Sequence, residues 1–273
     1  MTTPMLTSAA NPRIRSALQL RARRHRDATG LTIVDGAREL RRALDAGVEV
    51  VEAFVCEPLL AGPDARVALD RLRAGTAPVH PTNETAFARL AFGDRVEGLV
   101  AVIRPRSTAL ADLAVPDDAL VVVLEGVEKP GNVGAVLRSA DGAGVDALIV
   151  ASPRTDLHNP NVIRASAGTV FTVPLAAADA DEVADWLGAR QVRIVAARVD
   201  APTPYTEADL TGPLAIVLGA EDRGLSERWR RPDVEAVHLP MLGVADSLNV
   251  SVAAALLLYE ARRQRDRHIG RAD

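Results

Sequence analysis

Aromatic side chains are scarce in this chain, 3% of its 273 residues. A large core must therefore be built from Ala, Val and Leu. Cysteine occurs once, as Cys56, which excludes an internal disulfide and any cysteine-based metal cluster. Lysine is rare and arginine greatly outnumbers it; with the abundant alanine this looks like a high-GC coding bias and says little about function. No run approaches the roughly 20 apolar residues that a membrane span needs. The first residues lack the charged start and apolar stretch of a secretory signal. No internal repeat or low-complexity tract is present. What remains is an ordinary globular composition, 48% apolar and 25% charged. The expectation is a soluble, cytoplasmic protein with room for two domains or one large one.

Net charge is −4, so the molecule as a whole is not a basic nucleic-acid binder. Its distribution is uneven. Arg13, Arg15, Arg21, Arg23, Arg24 and Arg26 precede the first acid of their segment, Asp27, and Arg262, Arg263, Arg265, Arg267 and Arg271 end the chain. Charge alone leaves two readings open: a local polyanion-binding face, or solvated helix surfaces.

Periodicity divides the chain into two α/β parts. Residues 11–26 read as one basic helix with Ile14, Leu18 and Leu20 as its apolar stripe. Strands follow at Leu31–Val34, Val50–Val55 and Gly98–Ile103. Helices are expected at Ala37–Ala46, closed by Gly47, at 65–74 and at Thr85–Ala91. The proline-punctuated stretch 107–117 reads as a linker, with Leu110 and Leu113 as candidates to pack. The unit 118–273 opens on Leu120–Leu124, an apolar run typical of a strand buried on both faces. Further strands are expected at Ala147–Val150, Val192–Ala196, Leu214–Leu218 and Ala236–Leu239. Helices are expected at Val133–Ala143, around 160–167 and 179–188, and at Ser247–Arg263. Strands alternating with helices predict a mostly parallel sheet covered on both faces.

Three loops follow strands of that sheet, where α/β proteins place ligands. The first, Glu125 to Ala135, carries Gly131 and Gly134, a possible helix cap in Asn132, and Arg138 one turn further on. The second is Gly219-Ala-Glu-Asp-Arg-Gly224, where Glu221 is suited to accept hydrogen bonds from backbone amides or an arginine. The third runs from Leu239-Pro-Met241 into Ser247-Leu248-Asn249. There Asp246 or Ser247 suits a plain N-cap, and Asn249 inside a first turn is unusual because Asn is a mediocre helix former. Each loop alone reads most simply as a structural turn. None has the full G-x-G-x-x-G spacing, and no acid stands at a convincing place for a ribose, so a nucleotide-dependent oxidoreductase fits poorly.

Together, in this order, the loops resemble the three motifs of the SpoU (TrmH) family of RNA ribose 2′-O-methyltransferases, of the SPOUT superfamily. The match runs N-x-G-A-x-x-R at Asn132 to Arg138, G-x-E-x-x-G at Gly219 to Gly224, and L-P-M…S-L-N-V-S-V-A at Leu239 to Ala253. The segment Arg164 to Phe171 is similar to a further family pattern. Val34 to Arg38 and Val96 to Val102 look like the small substrate-binding domain often fused ahead. The resemblance spans 11–104 and 118–264. Two letters depart from it: Ala220 stands where the second motif usually has Asn, and Lys129 where an acid often precedes the proline.

The resemblance implies an α/β fold with a C-terminal deep trefoil knot, preceded by a ribosomal-protein-like RNA-binding domain over 1–106. It implies S-adenosylmethionine as methyl donor, a homodimer, no metal and no membrane. The RNA partner it favours is 23S ribosomal RNA; transfer RNA, antibiotic resistance through ribosomal RNA, and an inactive RNA-binding protein are the alternatives. It places Arg138, Asn132, Glu221, Ser247 and Asn249 in catalysis. Around the cofactor it places Gly219, Leu239, Met241 and Leu248, with Ala196 and Ala197. Toward RNA it places Arg21, Arg23, Arg24, Arg38 and Arg164. Arginine stays protonated far above neutral pH, so anchoring a phosphate is physically easier for Arg138 than acting as base.

Overall fold

A computed structural model describes residues 4–92, 96–221 and 223–269. Asp222 of the second motif and Arg271 of the basic C-terminal cluster lie outside the described residues. The chain forms two compact units: residues up to Arg106 together with Asp156–Thr172, and Ser107–Thr155 together with the chain from Val173 onward.

In chain order the first stretch contains helices α1 (Pro12–Gln19) and α2 (Arg23–Thr29), strand β1 (Thr32–Asp35), α3 (Ala37–Asp45), β2 (Glu49–Val55), α4 (Gly62–Ala74), β3 (Val79–Pro81), α5 (Glu84–Leu90) and β4 (Leu99–Arg104). The strands form one sheet in the order β1-β4-β2-β3, with β3 parallel to β2 and the other pairs antiparallel. The single basic helix expected over 11–26 is instead two short ones. Arg26 explains the break. Its guanidinium is buried and donates to the carbonyls of Leu20 and Arg21 at 2.8 and 2.9 Å, groups that a continuous helix would have bonded itself. Ile14, Ala17 and Leu20 still enter the core, packed with Phe54 and Phe87.

The chain continues through β5 (Leu120–Glu125), α6 (Pro130–Ala143), β6 (Ala147–Ala151), α7 (Pro160–Ala165), β7 (Leu175–Ala178), α8 (Ala180–Ala189), β8 (Arg193–Ala197), β9 (Thr203–Pro204), β10 (Leu214–Gly219), β11 (Glu235–His238) and α9 (Val250–Ile269). Helix α7 groups with the first unit, as part of Asp156–Thr172. The strands of the second unit form a parallel sheet in the order β7-β6-β5-β10-β8-β11-β9. Three short strands were not foreseen: β3, β7 and β9. They are rich in Ala or Pro, residues poor in β propensity, and two of them close the ends of the large sheet.

The large sheet is buried on both faces. Val121, Val123, Ile149, Ala215 and Val217 pack with Val183 and Leu187 of α8 and with Trp229. The alternate residues Leu120, Val122, Leu124, Ile216 and Leu218 are equally buried, and α9 packs on β10 and along α6. Leu113 is buried in the first of these layers and Leu110 packs against it, so the expected linker is anchored.

Candidate active site

Because the large sheet is parallel, the carboxyl ends of its strands share one edge. The segments leaving β8, β10 and β11 line a single cavity there, of about 470 Å³. Leu218, Val237, Leu239, Met241, Leu248, Val250, Ala253 and Leu257 give it an apolar lining, and Asp200, Glu221 and Asp246 bring carboxylates to it. Gly219 ends β10 where the loop folds back on itself. A Cβ at Gly219 would lie 2.3 Å from the carbonyl carbon of Gly224, so only glycine allows that closure.

Glu221 is the junction of the three loops. Its Oε1 accepts the side-chain amide of Asn132, at the start of α6, at 3.0 Å, and that of Asn249, before α9, at 2.7 Å. Its Oε2 accepts the Lys129 ammonium at 2.8 Å. Asn249 also donates to Asn132 Oδ1 at 3.2 Å. Lys129 first, then Asn132 and the backbone N–H of Val250, hold the Glu221 carboxyl below the ordinary glutamate range.

The roles of the two asparagines differ from expectation. Helix α9 begins at Val250, not Ser247, and Asn249 is its N-cap: Oδ1 accepts from the Ser251 N–H at 2.9 Å and the Ser251 hydroxyl at 2.7 Å. Its presence there is ordinary capping; what sequence could not tell is that its free amide N–H groups reach Glu221 and Asn132. Asn132 does not cap α6, whose N-cap is Lys129; it lies in the first turn, facing Glu221.

The other expected residues are placed unevenly. Gly219, Leu239, Met241, Ser247 and Leu248 line the cavity. Ala197 does too, but Ala196 points into the core beneath, because neighbouring strand residues face opposite ways. Arg138 is exposed and, among the described residues, makes no hydrogen bond or ion pair. Asn132, Ser247 and Asn249 therefore do not orient it within this chain. Sequence reading missed Arg198, Asp200 and Arg230. Arg198 grips Asp200 with two bonds of 2.9 Å, Arg230 adds a third at 3.1 Å, and all three residues line the cavity. The Arg198 guanidinium, then that of Arg230, holds the Asp200 carboxyl well below the carboxylate range. The signal for them was slight: Arg198 and Asp200 flank Val199 just past a strand end, and Arg230 stands 30 residues beyond Asp200.

In the first unit several arginines assigned to RNA serve the fold. Arg21 donates to the carbonyls of Arg89, Leu90 and Ala91 at the end of α5, and its guanidinium sits 5.0 Å from the Phe92 ring centre. Arg164 donates to Phe92 O at 2.6 Å and pairs with the buried Asp35. Arg38 pairs with the buried Glu39 while 40% of its side chain stays exposed. Arg23 and Arg24 are exposed, Arg23 beside Asp27 one turn away and Arg24 donating to His25. At the other end of the chain, Arg262 binds the carbonyls of Ala143 and Gly144, Arg265 those of Asp118, Ala119 and Gly212, and Arg263 pairs with Glu260. For Arg262 and Arg265 a structural role replaces both readings, while Arg263 stays on a solvated helix surface.

A parallel sheet with a cavity of apolar lining and charged rim at its carboxyl edge, closed by loops rather than by a glycine-rich dinucleotide turn, defines an α/β protein with a ligand site at the ends of its strands. Residues 119–259 match the model of the SpoU rRNA Methylase family, and residues 11–101 that of the MRM3-like substrate binding domain. The chain belongs to the SpoU rRNA methylase family, whose methyl donor is S-adenosylmethionine. It is 39% identical to the 23S rRNA (guanosine-2′-O-)-methyltransferase RlmB of Bordetella pertussis, over 71% of this chain and 80% of that one. A crystal structure of an RNA 2′-O ribose methyltransferase is 43% identical and superposes with a TM-score of 0.84, covering 96% of this chain and 99% of that one. The SpoU methyltransferase AviRb from Streptomyces viridochromogenes, in complex with AdoMet, is 30% identical with a TM-score of 0.84, over 93% and 98% of the two chains. The oxidoreductase reading falls with this membership. Among the described residues, no group of three or more His, Cys, Asp or Glu is placed to hold a metal ion, and no helix is long and apolar enough to cross a membrane.

Proposed function

We propose that this protein transfers a methyl group from S-adenosylmethionine to a ribose 2′-hydroxyl of 23S ribosomal RNA, in the cytoplasm. The observation that carries the reading is the Glu221 junction, which ties three loops together at a cavity with an apolar lining and a charged rim. The relatives named for 23S ribosomal RNA, and the match of residues 11–101 to a substrate-binding domain, support that RNA over transfer RNA. The domain roles follow: 1–106 hold RNA and 118–273 carry the reaction, joined by 107–117.

The cavity suits the donor. Leu239, Met241, Leu248 and Leu257 suit a flat base, and the carboxylate of Asp246 suits a ligand carrying a positive charge. When bound, S-adenosylmethionine supplies an electrophilic methyl carbon. The protein's share is to bring the hydroxyl oxygen into line and to favour loss of its proton. The backbone of Gly219 to Leu225 and the loop Leu239–Leu248 would hold the donor and exclude water. Ser247, on the cavity wall, is available to accept from or donate to the ribose. Arg138 would anchor the phosphate of the reacting nucleotide and lower the cost of negative charge on the oxygen.

Arg138 lies six residues after Asn132 on α6, about 120° around the helix from it. That displacement from Glu221 supports a homodimer in which Arg138 of one chain completes the site of another. So does the apolar surface nearby: Val252, Leu256 and Tyr259 share one exposed face of α9, and Leu242 and Val244 are fully exposed. The return of α9 onto β10 and α6, after the chain has passed through β11 on the far side of β8, supports the trefoil knot of the family. The test is Arg138→Ala. Methyl transfer to 23S ribosomal RNA should fall at least about 100-fold while the variant still binds S-adenosylmethionine in a calorimeter; near-normal methylation would sink the assignment.

A further inference from the structure

The chain has 32 lysine and arginine residues, and Lys129 alone among them is lysine. It stands at the N-cap of α6 with 72% of its side chain exposed, so no packing demand accounts for it. Its ammonium meets Glu221 Oε2 at 2.8 Å, while Oε1 is taken by the amides of Asn132 and Asn249. An ammonium is a point charge that one oxygen satisfies. A guanidinium is a planar fork that engages both oxygens of a carboxylate, as Arg198 does at Asp200 and Arg231 at Asp233. At Glu221 such a fork would compete with the two amides for Oε1. At Asp200 and Asp233 the chain uses arginine; here the geometry of the carboxylate favours lysine.

We propose that Lys129 is a positioning residue for donor binding: its ammonium fixes Glu221 as the ionised hub that ties the two loops walling the cavity to each other and to the start of α6. This rests on the methyl-transfer reading of the same cavity. Glu221 bonds the starts of both α6 and α9 and sits on the loop that walls the cavity, so its charge state is shared by all three loops. The groups that face it are few. Lys129 and Asn132 approach from α6, and Asn249 and the N–H of Val250 from the start of α9; Arg223, on its own loop, and Asp246, on the segment before α9, are charged residues of the same cavity lining. Lys129 is the largest influence keeping the carboxyl ionised. Without it the carboxyl returns toward the ordinary range. Protonation in mild acid then puts an O–H among groups that are themselves donors, and the loops separate.

The experiment is calorimetric titration with S-adenosylmethionine from about pH 4 to 8, a range that reaches the ordinary glutamate pKa of about 4.3, on the unaltered protein, Lys129→Met and Lys129→Arg. Lys129→Met should bind about two- to fivefold more weakly at neutral pH, the range of an exposed ion pair, and weaken further as pH falls, while the unaltered protein stays flat. Lys129→Arg keeps the charge and should keep the flat profile. A Lys129→Met titration that follows the unaltered protein at every pH overturns the proposal, as does an acid-sensitive Lys129→Arg. A second readout needs no ligand. Because the lysine is unique, reductive methylation with carbon-13 formaldehyde labels only Lys129 Nζ and the α-amine. The Nζ signal should move in Glu221→Gln; an identical signal overturns the clasp. If the unaltered protein fails to bind the donor, the methyl-transfer reading fails and the Nζ signal still decides the clasp.

Discussion

Arginine does opposite work at two places in the molecule. In the first unit, Arg26, Arg42 and Arg164 turn inward and satisfy backbone carbonyls of their own unit. At the carboxyl edge of the second sheet, Arg138 points outward and makes no bond among the described residues. In sequence both sets are basic residues on helices beside polar loops. The difference is burial: a guanidinium taken out of water must find acceptors, and carbonyls left over at helix ends are the nearest supply.

The sharpest way to break that contrast is Arg26→Ala. Arg26 is 5% exposed, pairs with Asp156 at 2.6 Å and holds two carbonyls. Its loss should cost about 3–5 kcal/mol, because Asp156 is left without its countercharge. Denaturant unfolding reads this directly, and a loss within the error of the measurement would mean that Arg26 is no more structural than Arg138. Next is Gly219→Ala on the catalytic side. The new methyl meets backbone rather than a movable side chain. Donor affinity should fall on the order of 100-fold, the upper end of overpacking costs, with the fold retained but its melting temperature lowered; calorimetry on the folded variant beside a melting curve is the check.

These two positions also mark what sequence could and could not reveal. The parallel sheet was legible because β5, β6, β8 and β10 are apolar runs spaced by helices. The three loops were legible because their small and polar residues follow strands. Gly219 was legible as a loop residue just past a strand, and it lines the cavity, but its close approach was not legible, since its steric partner is the backbone of Gly224 and leaves no trace in residue type. Asn249 was read as anomalous because the start of α9 was placed too early; one turn later it is a cap. The basic segment was read as one helix because a periodicity cannot register Arg26 bonding the carbonyls that break it. Arg21 and Arg164 looked available to RNA because charge in sequence carries no burial.

A third test uses pH. Asp35 is buried in the first unit beside Arg164, and burial raises its carboxyl to about 6, with the Phe92 N–H and Arg164 pulling the other way. A carboxyl raised above its unfolded value of about 3.9 binds its proton more tightly in the folded protein. The stabilisation from this group is therefore full below about pH 4 and is lost as pH rises through about 6. Comparing Asp35→Asn with the unaltered protein should show a difference in stability that changes by about 2 kcal/mol across that window. A constant difference would show that Arg164 fully compensates the charge, and would make Arg164 an ion-pair partner first and a carbonyl clamp second.

The smallest effect separates neighbours within one segment. Arg21→Ala removes a cap on α5 and should cost about 1 kcal/mol of stability, leaving the salt dependence of RNA binding nearly unchanged. Arg23→Ala with Arg24→Ala removes two exposed charges and should leave stability within about 0.5 kcal/mol. If both meet phosphates, the slope of log affinity against log salt becomes shallower by about 2 for a duplex target. Filter binding of 23S ribosomal RNA across a salt series reads both variants. The expected pattern is a crossed one, with stability lost in the first variant and slope lost in the second. A slope that falls with Arg21 and not with Arg23 and Arg24 would return Arg21 to the RNA face, and would mean that its three carbonyl bonds form only until RNA arrives.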